Sequence, residues 1–238
     1  MIKQIDCLEG LRQLTDDSVN CIITSPPYNK KGLLKSPKKG NQIWGKFNID
    51  YETYGDNMRE EEYQSWMVEF LNECHRVLAP DGSFFFNHKP RRYKNRCHLP
   101  TDFISQSEVQ LYQLIIWDRR NSPNIRNDVL LPCTEHVYWF CKVKPKVFRD
   151  AVDPKFRGEV WTIPPEKQKN HPAPFPEILV RNCVSLSTRE GDLVLDPFMG
   201  SGTTAVVANS MGREYLGFEM DSQYVEMAEV RLSALPTP

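Results

Sequence analysis

Short apolar runs alternate along this chain with stretches in which apolar residues recur every three or four positions. Val19–Thr24 is apolar and β-branched and is ended by Ser25-Pro26-Pro27, which predicts a buried strand feeding a rigid loop. Tyr63, Trp66, Met67, Phe70, Leu71, Cys74, Val77 and Leu78 share one helical face, and Pro80-Asp81-Gly82 should stop that helix. Residues 83–87, 114–117 and 137–141 read as strands, and Ile178, Leu179, Cys183 and Leu186 mark a further helix. Then come a strand at Leu193–Asp196, a glycine-led helix at 200–211, a strand at 215–219, and a helix at 222–232 with Asp221 as N-cap. Strands alternating with helices predict an α/β fold with a doubly wound, mostly parallel sheet. Two stretches break the pattern. Residues 30–57 are polar, basic and rich in turn residues, as in a variable loop. Residues 150–170 lack a clear period and contain Pro154, Pro164 and Pro165, as in an insert.

Composition narrows the class. The 238 residues are 40% hydrophobic and 26% charged, which suits one soluble globular domain spanning 1–238. No apolar stretch approaches membrane-spanning length, and Lys3, Asp6 and Glu9 so near the start speak against a signal peptide. Seven scattered cysteines without a CxxC pair imply reduced thiols, a cytoplasmic setting and no metal site; His88, Cys97 and His98 read as ordinary surface or loop residues. Net charge is only −1, but its distribution is uneven. Lys30, Lys31, Lys35, Lys38, Lys39 and Lys46 form one basic cluster, and Lys89, Arg91, Arg92, Lys94 and Arg96 a second. A third is Lys142, Lys144, Lys146 and Arg149, whereas the acids gather in 50–73 and 214–229. Basic loops separated from acidic helices fit a protein that meets phosphates on one face.

Two motifs carry chemistry. In Asp196-Pro197-Phe198-Met199-Gly200-Ser201-Gly202-Thr203-Thr204 a strand ends at an acid, glycines follow and a helix begins. Glycines let backbone approach a ligand, and free amide groups at a helix start suit an anion. The segment superficially resembles a P-loop, but Thr203 stands where the lysine should be, which disfavours nucleotide hydrolysis. Glu219, at the end of the next strand, stands where doubly wound folds bind ribose hydroxyls. The second motif is Thr24-Ser25-Pro26-Pro27-Tyr28-Asn29. Two prolines fix the backbone and leave carbonyls as positioned acceptors, Ser25 adds an oxygen and Tyr28 a flat face. That inventory can hold an aromatic amine.

Together the motifs resemble the amino-methylating DNA methyltransferases, in the circularly permuted order of their β group, because Ser25-Pro26-Pro27-Tyr28 precedes the Asp196–Thr204 segment. Asp6-Cys7-Leu8-Glu9, Arg76–Gly82, Glu135–Phe140 and His171–Glu177 are similar to further segments of that family. The resemblance implies a sheet of the S-adenosylmethionine-dependent methyltransferase type, with 142–170 as a small target-recognition insert. It implies a cofactor, S-adenosylmethionine, held by Asp6, Thr24, Ser25, His171, Phe175, Asp196, Pro197, Phe198, Gly200, Ser201, Gly202, Thr203, Glu219 and Met220. Catalysis falls to Ser25, Pro26, Pro27 and Tyr28: Ser25 and the Pro26 carbonyl accept hydrogen bonds from a base amine, and Tyr28 stacks on a base flipped from double-stranded DNA. Lys30, Lys31, Lys35, Lys38, Lys39, Arg91 and Arg92 would contact DNA.

In this family a serine before Pro-Pro-Tyr leans towards cytosine N4, with adenine N6 as the alternative. An RNA or protein-amide methyltransferase and a silent DNA-binding module are the other readings. The resemblance also implies homodimers and a cognate restriction endonuclease as partners. Cys133 follows Pro132, as the nucleophile of cytosine C5 enzymes follows a proline, but the rest of that pattern is missing.

Overall fold

The computed structural model describes residues 1–29, 58–93, 95–121, 127–165 and 175–235. In chain order the strands are β1 (Ile2–Gln4), β2 (Val19–Thr24), β3 (Leu78–His88), β4 (Arg91–Tyr93), β5 (Arg96–His98), β6 (Gln110–Asp118), β7 (Thr134–Cys141), β8 (Val160–Thr162), β9 (Leu193–Asp196) and β10 (Glu214–Glu219). The helices are α1 (Cys7–Arg12), α2 (Glu60–Val77), α3 (Thr101–Ile104), α4 (Glu177–Ser187), α5 (Thr203–Ser210) and α6 (Ser222–Ser233). Eight strands form one sheet in the order β1-β10-β9-β2-β3-β7-β6-β8. Only β7 runs antiparallel to its neighbours, so the sheet is mostly parallel. β4 and β5 make a separate antiparallel hairpin.

Alternation along each strand supplies two cores, one per sheet face. Ile22, Phe84, Phe86 and Leu195 join Tyr63, Met67, Phe70 and Leu71 of α2 and Phe103 of α3. Cys21, Ile23, Phe85 and Val194 join Leu179, Val180 and Cys183 of α4 and Val207 of α5 on the other face. Helices on both faces make the doubly wound architecture that the alternating pattern predicts. α2 opens on Glu60, Glu61 and Glu62 and closes on His75 and Arg76, a charge order that suits its dipole.

Three features depart from the sequence reading. α2 passes into β3 at Leu78 with no intervening loop, and Pro80-Asp81-Gly82 lies inside β3. Val19 pairs with Leu78 and Cys21 with Ser83, so residues 79–82 bulge out of the ladder; the turn residues interrupt pairing rather than separate the two elements. His88, read as a surface residue, is fully buried at the end of β3. In the segment read as an insert, Val152, Phe156, Trp161 and Ile163 are core residues, and β8 adds a parallel edge strand beside β6. The Trp117 indole donates to the Ile163 carbonyl at 2.7 Å, and the Trp161 indole to the Phe156 carbonyl at 2.8 Å. This stretch is therefore part of the sheet, while 166–170 and the 30–57 loop lie outside the described residues. No helix among the described residues is long and apolar enough to cross a membrane.

Candidate active site

Strand direction collects the chemistry at one end of the sheet. Glu219 ends β10, Asp196 ends β9, Thr24 ends β2 and Asn87-His88 ends β3. Because β7 runs the other way, its start, Thr134-Glu135, falls at the same end. The β9–β2 boundary is the topological switch point, where an open α/β sheet leaves a crevice.

The acidic half is built around two buried carboxylates. Asp196 Oδ1 accepts from the Thr24 hydroxyl at 2.7 Å and the Phe198 amide at 3.0 Å, and Oδ2 accepts from the Thr204 hydroxyl at 2.6 Å. Thr24 directly precedes Ser25, so Asp196 ties the two sequence motifs together. Burial pushes its pKa up to about 6, opposed by those hydrogen bonds. Glu219 Oε2 accepts from the Gly200 amide at 2.8 Å and Oε1 from the Asp221 amide at 2.9 Å; burial raises its pKa as well. Gly200 has a positive φ of 51°, the backbone state that turns its amide onto Glu219. A carboxylate has about four acceptor positions, and the Met220 amide also lies on Glu219, so room remains for a hydroxyl group.

Other expected cofactor residues divide by position. Pro197 is buried, whereas Phe198 and Met220 are half-buried at the turn. Asp6 lies at the same sheet end, since the Ile5 amide donates to the Glu219 carbonyl at 3.1 Å, and its side chain caps α1 through the Leu8 and Glu9 amides. Phe175 packs edge-on to Trp117 with ring centroids 6.3 Å apart. Gly202 packs closely: a side-chain carbon there would sit 2.6 Å from Cβ of Ala228 on α6. Ser201 and Thr203 both accept from Arg231, which also bonds Glu177. They tie α6 to the starts of α5 and α4. His171 lies outside the described residues.

The second half is a polar cluster behind the Ser-Pro-Pro-Tyr turn. The Tyr28 hydroxyl lies 2.9 Å from Ser25 Oγ and 3.2 Å from Glu135 Oε2. Asn87 Nδ2 donates to the Tyr28 hydroxyl at 2.8 Å, to Glu135 at 3.0 Å and to Ser25 at 3.3 Å. Glu135 also accepts from Arg119 at 2.7 Å and pairs with Lys89 at 3.6 Å. The Tyr28 ring packs on His88, with centroids 4.5 Å apart, under the Lys89 ammonium. The Tyr63 hydroxyl donates to the Pro27 carbonyl at 2.9 Å, which braces the turn from α2. Burial first, and then Glu135, raise the Tyr28 pKa well above its ordinary value. Asn87, Arg119 and Lys89 escape a sequence reading of the site. Asn87 does close a strand legible in the sequence, but nothing there shows that this strand lies beside β2 or that β7 brings Glu135 next to it.

The basic residues are sorted by burial. Arg91, which the sequence places among the DNA-contacting cations, is instead 5% exposed and bonds both oxygens of Glu60 at 2.8 and 2.6 Å, against the face of Tyr63. An arginine so enclosed has no fork left for a phosphate. Arg92, next along β4, is exposed. Lys30, Lys31, Lys35, Lys38 and Lys39 lie outside the described residues. Among the described residues no group of three or more His, Cys, Asp or Glu side chains could hold a metal ion. Buried Cys21, whose pKa is pushed up to about 12 by burial, stays a thiol.

Comparison with known proteins gives a consistent set. The sequence profile described as DNA methylase, of the N6/N4 type, matches residues 19–230. The chain is 29% identical to the type II methyltransferase M.BglII of Bacillus subtilis over 266 residues, covering 97% of this chain and 68% of that protein. It is 27% identical to the type II methyltransferase M.HinfI of Haemophilus influenzae, covering 98% and 68%. Among solved structures, the cytosine-N4-specific PvuII DNA methyltransferase superposes with a TM-score of 0.78 at 23% identity, covering 99% of this chain and 86% of that one. A putative DNA modification methylase of Thermus thermophilus, complexed with S-adenosyl-L-methionine, gives 0.70 at 23% identity, covering 98% and 92%.

Proposed function

The chain belongs to the N6/N4 DNA methylase family, and from that membership we propose that its target is the N4 amine of a cytosine flipped out of duplex DNA. It is an S-adenosylmethionine-dependent DNA methyltransferase. The observation that carries the cytosine reading is Ser25, a neutral hydroxyl at the first position of the motif, held beside Tyr28 and Asn87. A neutral acceptor is enough for the electron-rich amine of cytosine.

The residues present suit the cofactor. The acceptor capacity that Glu219 keeps beside its backbone partners fits a ribose hydroxyl, and the 197–200 turn, tied to β2 through Asp196, fits the methionine end. When bound, S-adenosylmethionine supplies an electrophilic methyl group. The chain's own residues bind and orient the amine. Its lone pair is delocalised into the base, and acceptors for its hydrogens favour the tetrahedral geometry that restores nucleophilicity. Ser25 Oγ and the Pro26 carbonyl are those acceptors, and they need no covalent intermediate. The Tyr28 ring, backed by His88, stacks on the base.

Mass spectrometry of nucleosides from DNA methylated in cells that express the chain tests the reading. N4-methylcytosine is the expected product. N6-methyladenine alone would overturn the cytosine assignment, and Tyr28→Ala with full activity would overturn the stacking role.

A further inference from the structure

We propose that Glu135 is a positioning residue that holds the Ser25 hydroxyl in the accepting sense, through a one-way chain of hydrogen bonds from Ser25 to Tyr28 to Glu135. The inference rests on the reading of Ser25 as an acceptor for the target amine. It follows from counting hydrogens. An ionised carboxylate only accepts. Glu135 is ion-paired, with Arg119 at 2.7 Å and Lys89 at 3.6 Å. Its Oε2 therefore takes the one hydrogen of the Tyr28 hydroxyl, 3.2 Å away.

With that hydrogen committed, the 2.9 Å contact between Ser25 and Tyr28 can have only one sense: Ser25 donates and Tyr28 accepts. Asn87 enforces the same direction. Its amide nitrogen has two hydrogens and lies nearest the Tyr28 hydroxyl and Glu135, at 2.8 and 3.0 Å, with Ser25 at 3.3 Å; turning the amide over would set its oxygen against the Glu135 carboxylate. Ser25 has a single hydrogen and two lone pairs. The hydrogen points inward at Tyr28, and a lone pair turned away from Asn87, which lies 3.3 Å off, is left for an incoming amine N–H. The raised pKa of Tyr28 keeps the middle link protonated. If the carboxylate is replaced by an amide, the chain can reverse. Ser25 then directs its own hydrogen at an amine that also donates, and the acceptor is lost.

The test is a double-mutant cycle in the full chain, with single-turnover methylation of plasmid DNA and calorimetric cofactor binding as readouts. Glu135→Gln should lower the single-turnover rate ten- to a hundredfold and leave cofactor affinity within about twofold, since Asp196 and Glu219 are untouched. Glu135→Asp should recover part of the rate. In a Ser25→Ala background the same Glu135→Gln change should cost less than about twofold, because the hydrogen it orients is gone.

A wild-type rate in Glu135→Gln, or an equal loss in both backgrounds, would overturn the proposal. If Glu135→Gln does not fold, Tyr28→Phe breaks the same chain and the same cycle with Ser25→Ala decides. Wild-type protein that methylates no DNA overturns the proposed function and this inference with it; an active wild type with additive losses overturns the inference alone.

Discussion

Asp196 carries a carboxyl group into the interior and surrounds it with three donors, from Thr24, Thr204 and the Phe198 amide. Burial outweighs them, so its pKa rises from 3.8 to about 6. A raised acid stabilises the fold while it is neutral. That contribution is complete below about pH 4 and is lost as pH rises through about 6, where the charge must be held inside. Asp196→Asn keeps an acceptor for Thr24 and the Phe198 amide and points its NH2 at the Thr204 oxygen. Relative to wild type, its unfolding free energy in urea should therefore rise from pH 4 to 7 by up to roughly 3 kcal/mol, at 1.4 kcal/mol per unit. A constant difference across that range would show that Asp196 is not a buried charge. Glu219 poses a separate question. The acceptor capacity left beside its backbone partners is what is assigned to ribose, and a hydrogen bond to a charged group contributes about 1.5–3 kcal/mol. Glu219→Ala should weaken cofactor binding about ten- to a hundredfold by calorimetry. Unchanged affinity in a folded variant would remove Glu219 from the cofactor site.

Two glycines separate backbone freedom from packing at the scale of elements. Gly191, before β9, and Gly202, before α5, have nearly the same left-handed φ, 84° and 83°. A side-chain carbon at Gly191 meets nothing within 4 Å, while one at Gly202 runs into Cβ and Cα of Ala228 at 2.6 and 3.0 Å. Gly191→Ala should thus cost only the conformational penalty, about 1 kcal/mol. Gly202→Ala should cost that plus about 1–3 kcal/mol of overpacking as α6 is driven off α5. Equal losses in denaturant unfolding would mean that α6 yields without resistance. The contact also explains why a motif that reads in sequence as glycines facing a ligand divides in three dimensions. Gly200 turns its amide to Glu219, and Gly202 lets two helices meet.

For the whole molecule, sheet order sets the function. β10 and β9 bring Glu219 and Asp196, β2 the Ser25–Tyr28 turn, and β3 and β7 bring Asn87 and Glu135, side by side at one end of the sheet. On the proposed function DNA reaches that end, and phosphate contacts make affinity fall with salt at a log–log slope of about −0.9 per neutralised phosphate. Replacing Lys35, Lys38 and Lys39 with Ala should flatten the slope and weaken all sequences alike. Arg91→Ala should leave the slope unchanged and lower the melting temperature, because its guanidinium is enclosed with Glu60 and Tyr63. A slope reduced by Arg91→Ala, or unmoved by the triple change, would reverse that division of labour.

Local order suffices to reveal much of this protein. The β2, β9 and β10 strands, the α2 face, the Asp221 cap and both motifs are legible because each depends on residues within one or two turns of chain. β1 and β8 are not, since three residues are too few to show a period and both strands exist only by pairing with a neighbour already in the sheet. The same distinction divides the site. Ser25, Tyr28, Asp196 and Glu219 announce themselves by local pattern. The partnership of Ser25 and Tyr28 with Asn87, Glu135 and Arg119 spans up to about a hundred residues of chain and is decided by which strands lie adjacent and which one is reversed. Burial, likewise, is a property of the packed molecule: it makes Arg91 a core cation where sequence shows only one of a run of charges, and it raises the Asp196 pKa through neighbours that no local pattern names.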